Sequence, residues 1–208
     1  MATTPRSSTP TPVLADVVSS KGSRPAAGTE SVVGIGALRA MAVMRISLGF
    51  VFLWAFLDKA IGLGFATGRN PETGTIDYFS DAAWINGGSP TEGFLTFGLN
   101  TKEPFTSLYS NLAGHAVVDW LFMLGMLGVG AALMVGVGIR VAAISGIAIM
   151  TLMYTAGSVW GENNPVVDEH VIYAIALAVI ALAGADRTWG LGDRWRALPL
   201  VQRHAFLR

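Results

Sequence analysis

With 208 residues, 52% hydrophobic and only 13% charged, the chain carries about half the charge of a soluble domain, which has roughly 25%. Its 14 bases balance its 14 acids, so no basic surplus points to nucleic acid as a partner. The absence of cysteine excludes disulfides, thiolate metal sites and thiol exchange, and a chain so poor in charge fits lipid as its solvent.

Residues 1–36 are rich in Ser, Thr, Pro, Ala and Gly without a helical apolar period, and read as a disordered tail. Their apolar patch, Val13 to Val18, is too short for a secretory signal and is broken by Asp16. A bilayer core needs roughly 20 apolar residues in a helix. The first predicted span, residues 40–59, contains Arg45, which leaves the 12 residues from Ile46 to Leu57 as its uncharged centre. Arg45 must therefore snorkel or be buried in protein. Residues 62–118 follow as a loop of more than 50 residues, too long for a simple turn. Its aromatic, amphipathic segments Tyr78–Ile85, Gly93–Leu99 and Phe105–Leu112 predict short helices over the mouth of a bundle. Gly87, Gly88, Ser89 and Pro90, then Lys102, Glu103 and Pro104, punctuate them.

Spans two and three, residues 119–139 and 141–160, are separated only by Arg140, so a hairpin turning at 136–140 is expected. The fourth span is expected at 166–185, and residues 191–208 form a basic tail. The expected fold is all-α: an integral membrane four-helix transmembrane bundle, residues 37–190, with short amphipathic helices in the long outer loop.

Lys and Arg near the ends of membrane spans mark the cytoplasmic side. Arg39, Arg45, Arg140, Arg187, Arg194 and Arg196 lie near span ends on one side, against Lys59 on the other. Both termini are therefore expected in the cytoplasm and the chain in the plasma membrane. The outer side then carries ten acids and three bases, the inner side eleven bases and four acids. Such a field does not draw a dianionic substrate to the outer side. Trp160, Trp189 and Trp195 fall at interface depth.

Small and polar residues mark the packed faces of helices in lipid. Gly128, Ala132 and Gly136 recur in the second span, and His170, Ala174, Ala178, Ala181 and Ala185 in the fourth. Thr151, Thr155 and Ser158 form a polar stripe in the third, and Arg45, Gly49, Phe52, Phe56 and Lys59 share a face of the first. If these faces point inward, His170, Lys59, Thr155 and Ser158 converge at the outer end.

Ionisable groups on inward faces of spans are candidate chemical groups. His170, Lys59 and Arg45 are the candidate catalytic residues. An imidazole at His170 could donate to a quinone carbonyl or shuttle a proton, or it could be a satisfied histidine beside a helix start favoured by Asp168 and Glu169. Asp58 and Lys59 could simply neutralise each other. His170, Tyr154, Trp54 and Tyr173 are the candidate quinone-binding set. His115 and His170, with Asp119, Asp168 and Glu169 as helpers, match no metal spacing, so neither metal nor haem is expected.

The chain resembles the DoxX family, and within it the DoxD-like membrane subunit of thiosulfate:quinone oxidoreductase. The resemblance runs from Met41 to Trp195. It rests on Arg45, Gly49, Phe52 and Trp54 followed by Lys59; on Asn86 to Pro90 with Gly93 and Leu95; on Gly128 to Arg140; and on Asn163, Asn164 and Pro165 with Asp168, Glu169, His170 and Tyr173. It implies four transmembrane helices and electron transfer from thiosulfate to a membrane quinone. The competing expectation is a non-catalytic anchor or assembly subunit for a partner oxidoreductase, with a second subunit or a homo-oligomer as the partner. Transport is disfavoured by the lack of Pro-broken helices and of an inverted repeat.

Overall fold

The computed structural model describes residues 34–99, 105–157, 159, 164 and 166–207. The expected tail up to residue 33, Lys102, Glu103 and Pro104, and Ser158, Trp160, Asn163 and Pro165 lie outside the described residues. Among the described residues every regular element is helical, and the only strand-like pairing is a bridge between Arg69 and Ile76.

Three helices are long and apolar enough to cross a membrane: α1 (Ile35–Ile61), α4 (Ala116–Val135) and α5 (Ile139–Gly157). Between the first two lie a 3-10 turn (Trp84–Asn86), α2 (Glu92–Phe97) and α3 (Thr106–Ser110). After α5 come α6 (Glu169–Leu182), α7 (Gly192–Arg196), α8 (Pro199–Arg203) and a 3-10 turn (Ala205–Leu207). At 1.5 Å per residue, the 14 residues of α6 reach about 21 Å, short of a bilayer core of about 30 Å. The Asp168 side chain caps α6 by accepting from the Val171 amide. Residues 166 and 167 of the expected span therefore belong to the approach, and its end is lost to the turn at Gly184 (φ 62°).

α1 packs along α4, α4 on α5, α5 on α6, and α6 back on α1. The α1–α4 contact is backbone on backbone. A Cβ at Gly49 would stand 2.8 Å from the Met134 nitrogen, and one at Gly130 would stand 2.7 Å from the Leu53 nitrogen. Only glycine permits that approach. The inward face of α4 is Met126, Val129, Gly130 and Leu133. Gly128, expected on the packed stripe, faces open space, since two residues along a helix turn the side chain to the opposite flank. Thr151 likewise points outward and returns its hydroxyl to the Ile147 carbonyl at 2.8 Å.

The hairpin occurs where the sequence places it, at Gly136–Gly138, where both glycines have positive φ. The last four carbonyls of α4 all find donors, as a helix end requires. Ala132 accepts from the Gly136 and Val137 amides, Val135 accepts from Leu191, and Leu133 and Met134 accept from Arg45. Residues 191–207, expected as a tail, fold back instead. Val201 is fully buried, Trp195 donates to the Leu207 carbonyl at 2.7 Å, and Arg140 donates to the Ala205 carbonyl.

Candidate functional site

The candidate residues divide between the two ends of the helices. Arg45 belongs to the end with the 136–138 turn. Its side chain is fully buried and donates to the carbonyls of Leu133, Met134, Ala185, Thr188 and Trp189. The cation sits at the C-terminus of α4, where the helix dipole favours positive charge. Glycine makes room: a Cβ at Gly136 would stand 3.1 Å from Arg45 Nη1, and one at Gly190 would stand 3.3 Å from Nη2. Beside it, the buried Asp186 pairs with Arg196 at 2.7 Å. With every group of the guanidinium committed to backbone, Arg45 is a structural clamp joining α1, α4 and the segment after α6.

Lys59 lies fourteen residues further along α1, about 21 Å away. It lines a cavity of about 390 Å³ bounded by α4, α5, α2 and α3. The walls are otherwise nearly all apolar, among them Phe94, Leu95, Phe122, Ile149 and Met153. Lys59 has no hydrogen-bond acceptor among the described residues. Asp58 spends its carboxylate on the amides of Phe65, Ala66 and Thr67 at 2.9–3.0 Å, so it organises the start of the loop and forms no ion pair with its neighbour.

The cavity has two other polar lining groups, and both are committed. Thr91 donates its hydroxyl to Asp119 at 2.6 Å. Tyr109 shares a hydrogen bond of 2.6 Å with the Thr155 hydroxyl, which also reaches the Thr151 carbonyl at 2.8 Å. Lys59 is thus the one polar lining side chain, among the described residues, without a hydrogen-bond partner. Its ammonium offers three donors.

The roof is held at two points. Asp119, buried in the first turn of α4, accepts from Ser89 Oγ and from the Thr91 amide and hydroxyl. Tyr109, Leu95 and Ala156 form a small buried cluster joining α2 and α3 to α5. Replacing Asp119 with Ala removes three bonds from residues 89–91. A stability loss of about 2 kcal/mol is expected, together with faster amide exchange across 86–97. Exchange unchanged from wild type would show that the roof is held by other contacts.

His170 starts α6 at the same end as Lys59 but does not line this cavity. Its Nδ1 lies 2.6 Å from Asp168 Oδ2, and the same carboxylate caps the helix. Ligand atoms of Asp168, Glu169 and His170 lie within 4.8 Å of one another. Tyr154 donates to the Val166 carbonyl at 2.8 Å, Trp54 stacks on Phe50 and meets Phe65 edge-on, and Tyr173 packs into the main core. None of these three lines the cavity. The fold thus separates Lys59 from Arg45 and does not gather His170, Tyr154, Trp54 and Tyr173 around it. The residues missing from the sequence-based catalytic and quinone-binding sets are Thr91, Phe94, Tyr109 and Asp119, the last weighed there only as a metal helper. An acid in the first turn of an apolar helix, facing a Ser-Pro-Thr segment, was the available signal.

The fold and the cavity define an all-helical protein with three helices able to cross a membrane and an apolar chamber carrying a single unpaired cation among the described residues. No protein-family model, curated protein or solved structure matches the chain.

Proposed function

We propose that this protein is a quinone-binding redox subunit of the plasma membrane, with the quinone headgroup in the Lys59 cavity. The observation that carries the reading is the chamber itself: apolar walls, a size suited to one ring, and, among the described residues, an unpartnered donor group on Lys59. A quinone is a flat apolar ring whose carbonyls only accept hydrogen bonds, so it matches such a chamber. In this reading α6, with its flanking turns, completes a four-helix bundle. The short helices α2 and α3 cover its outer mouth, and both termini are cytoplasmic. The excess of arginine near the other helix ends supports that orientation.

The resemblance to the DoxX family supplies the donor. Two thiosulfate ions joined through sulfur give tetrathionate and release two electrons, and the quinone takes up these electrons with two protons to give the quinol. Lys59 orients the quinone through a carbonyl and offsets the negative charge that builds on that oxygen as electrons arrive. The chain carries no cofactor motif of its own, so electrons pass directly from the sulfur donor or through a partner subunit.

The test is reconstitution of the purified protein with a membrane quinone and thiosulfate. Bound quinone and thiosulfate-dependent quinol formation are expected. Stoichiometric recovery of a soluble oxidoreductase with no quinone bound would replace this reading with that of a membrane anchor.

A further inference from the structure

The walls of the Lys59 cavity are of two kinds. Leu95 and Tyr109 are buried and close it from the side of residues 62–118. Leu121 of α4 and Leu152 of α5 line it as well, yet they stand 69% and 56% exposed on the outside of the molecule. A side chain that both lines a cavity and faces outward marks its mouth. This mouth lies on the apolar flank of two helices of membrane length. It therefore opens toward lipid tails. On the side of residues 62–118 Phe94, 36% exposed, also lines the cavity, and there the Tyr109–Thr155 bond and the bonds from Ser89 and Thr91 to Asp119 hold the described lining segments against α4 and α5.

Resting on the quinone reading, we infer that the ligand enters sideways from the bilayer, through a portal between α4 and α5 framed by Leu121 and Leu152. The chamber takes one ring but no polyisoprenoid chain, so the tail stays in the portal and the lipid beyond it. The ligand class is then an amphiphile with one hydrogen-bond-accepting head and a long apolar tail, drawn from the membrane pool.

The test measures binding of a long-tailed and a tail-less quinone to protein in nanodiscs. Leu121→Trp and Leu152→Trp fill the portal. Leu124→Trp is the control, because Leu124 is 54% exposed on α4 but does not line the cavity. The portal variants are expected to bind the long-tailed quinone about tenfold more weakly, the loss of a few buried methylenes. The tail-less quinone and the control should stay within about twofold of wild type. Equal losses for both quinones, or no loss for either, overturn the portal and leave quinone binding intact. If wild type binds neither, the proposed function fails and the portal with it. Leu152→Ala widens the mouth without crowding the fold and should speed association of the long-tailed quinone; an unchanged rate counts against the portal.

Discussion

Arg45→Ala should destabilise the protein by about 3–5 kcal/mol, the largest loss expected for any single side chain here. The substitution leaves the carbonyls of Leu133, Met134, Ala185, Thr188 and Trp189 without this donor. The Arg45 side chain itself is fully buried, and its bonds to Leu133 and Ala185 are buried, so water reaches these two carbonyls poorly. Arg45→Lys keeps the charge but loses the planar fork that reaches both segments at once, so it should recover less than half of the loss. Thermal unfolding in detergent measures both variants. A variant with wild-type melting but no quinone reduction would show that Arg45 serves the chemistry instead of holding the fold.

Lys59→Met should do the opposite. Methionine is close in length and apolar, so it fills the same space while removing the ammonium donors from the cavity. A hydrogen bond to a charged group contributes about 1.5–3 kcal/mol, so quinone affinity should fall roughly 10- to 150-fold. Melting should hold or rise, because a cation without an acceptor in an apolar chamber costs stability. Titration of quinone against intrinsic tryptophan fluorescence reads the affinity. Unchanged binding would remove Lys59 from the site.

These two residues show what the sequence exposes and what it conceals. Both stood out because a charge inside an apolar run is conspicuous. Their shared helix face grouped them, but a face says nothing about depth, and fourteen residues of helix carry them to opposite ends. The partners of Arg45 are backbone carbonyls 88 to 144 positions away, and a carbonyl has no signature in a sequence. The α4–α5 hairpin was legible because a charged residue among glycines interrupts the apolar run. The true close approach of α1 and α4, through Gly49 and Gly130, was half hidden. Glycine is common in such helices, and Gly128 fitted the four-residue spacing as well as Gly130 fitted the contact.

The loop tells the same story from the other side. Its amphipathic segments marked where α2 and α3 form. The roof they build depends on Asp119 and Thr155, which lie far along the chain and bond through side chains. His170 drew attention as an imidazole at a helix start. The structure places it beside Asp168, two residues before it, with Nδ1 2.6 Å from Oδ2.

The most direct test of the central claim is photolabelling of the reconstituted protein with a quinone that carries a reactive group on its ring, followed by mapping of the labelled peptides. Labelling within Tyr109–Phe122 and Ile149–Ala156, abolished by excess native quinone, is the result expected of a headgroup in the Lys59 cavity. Competed labelling confined to His170 and Tyr173, or labelling that native quinone does not reduce, would contradict it.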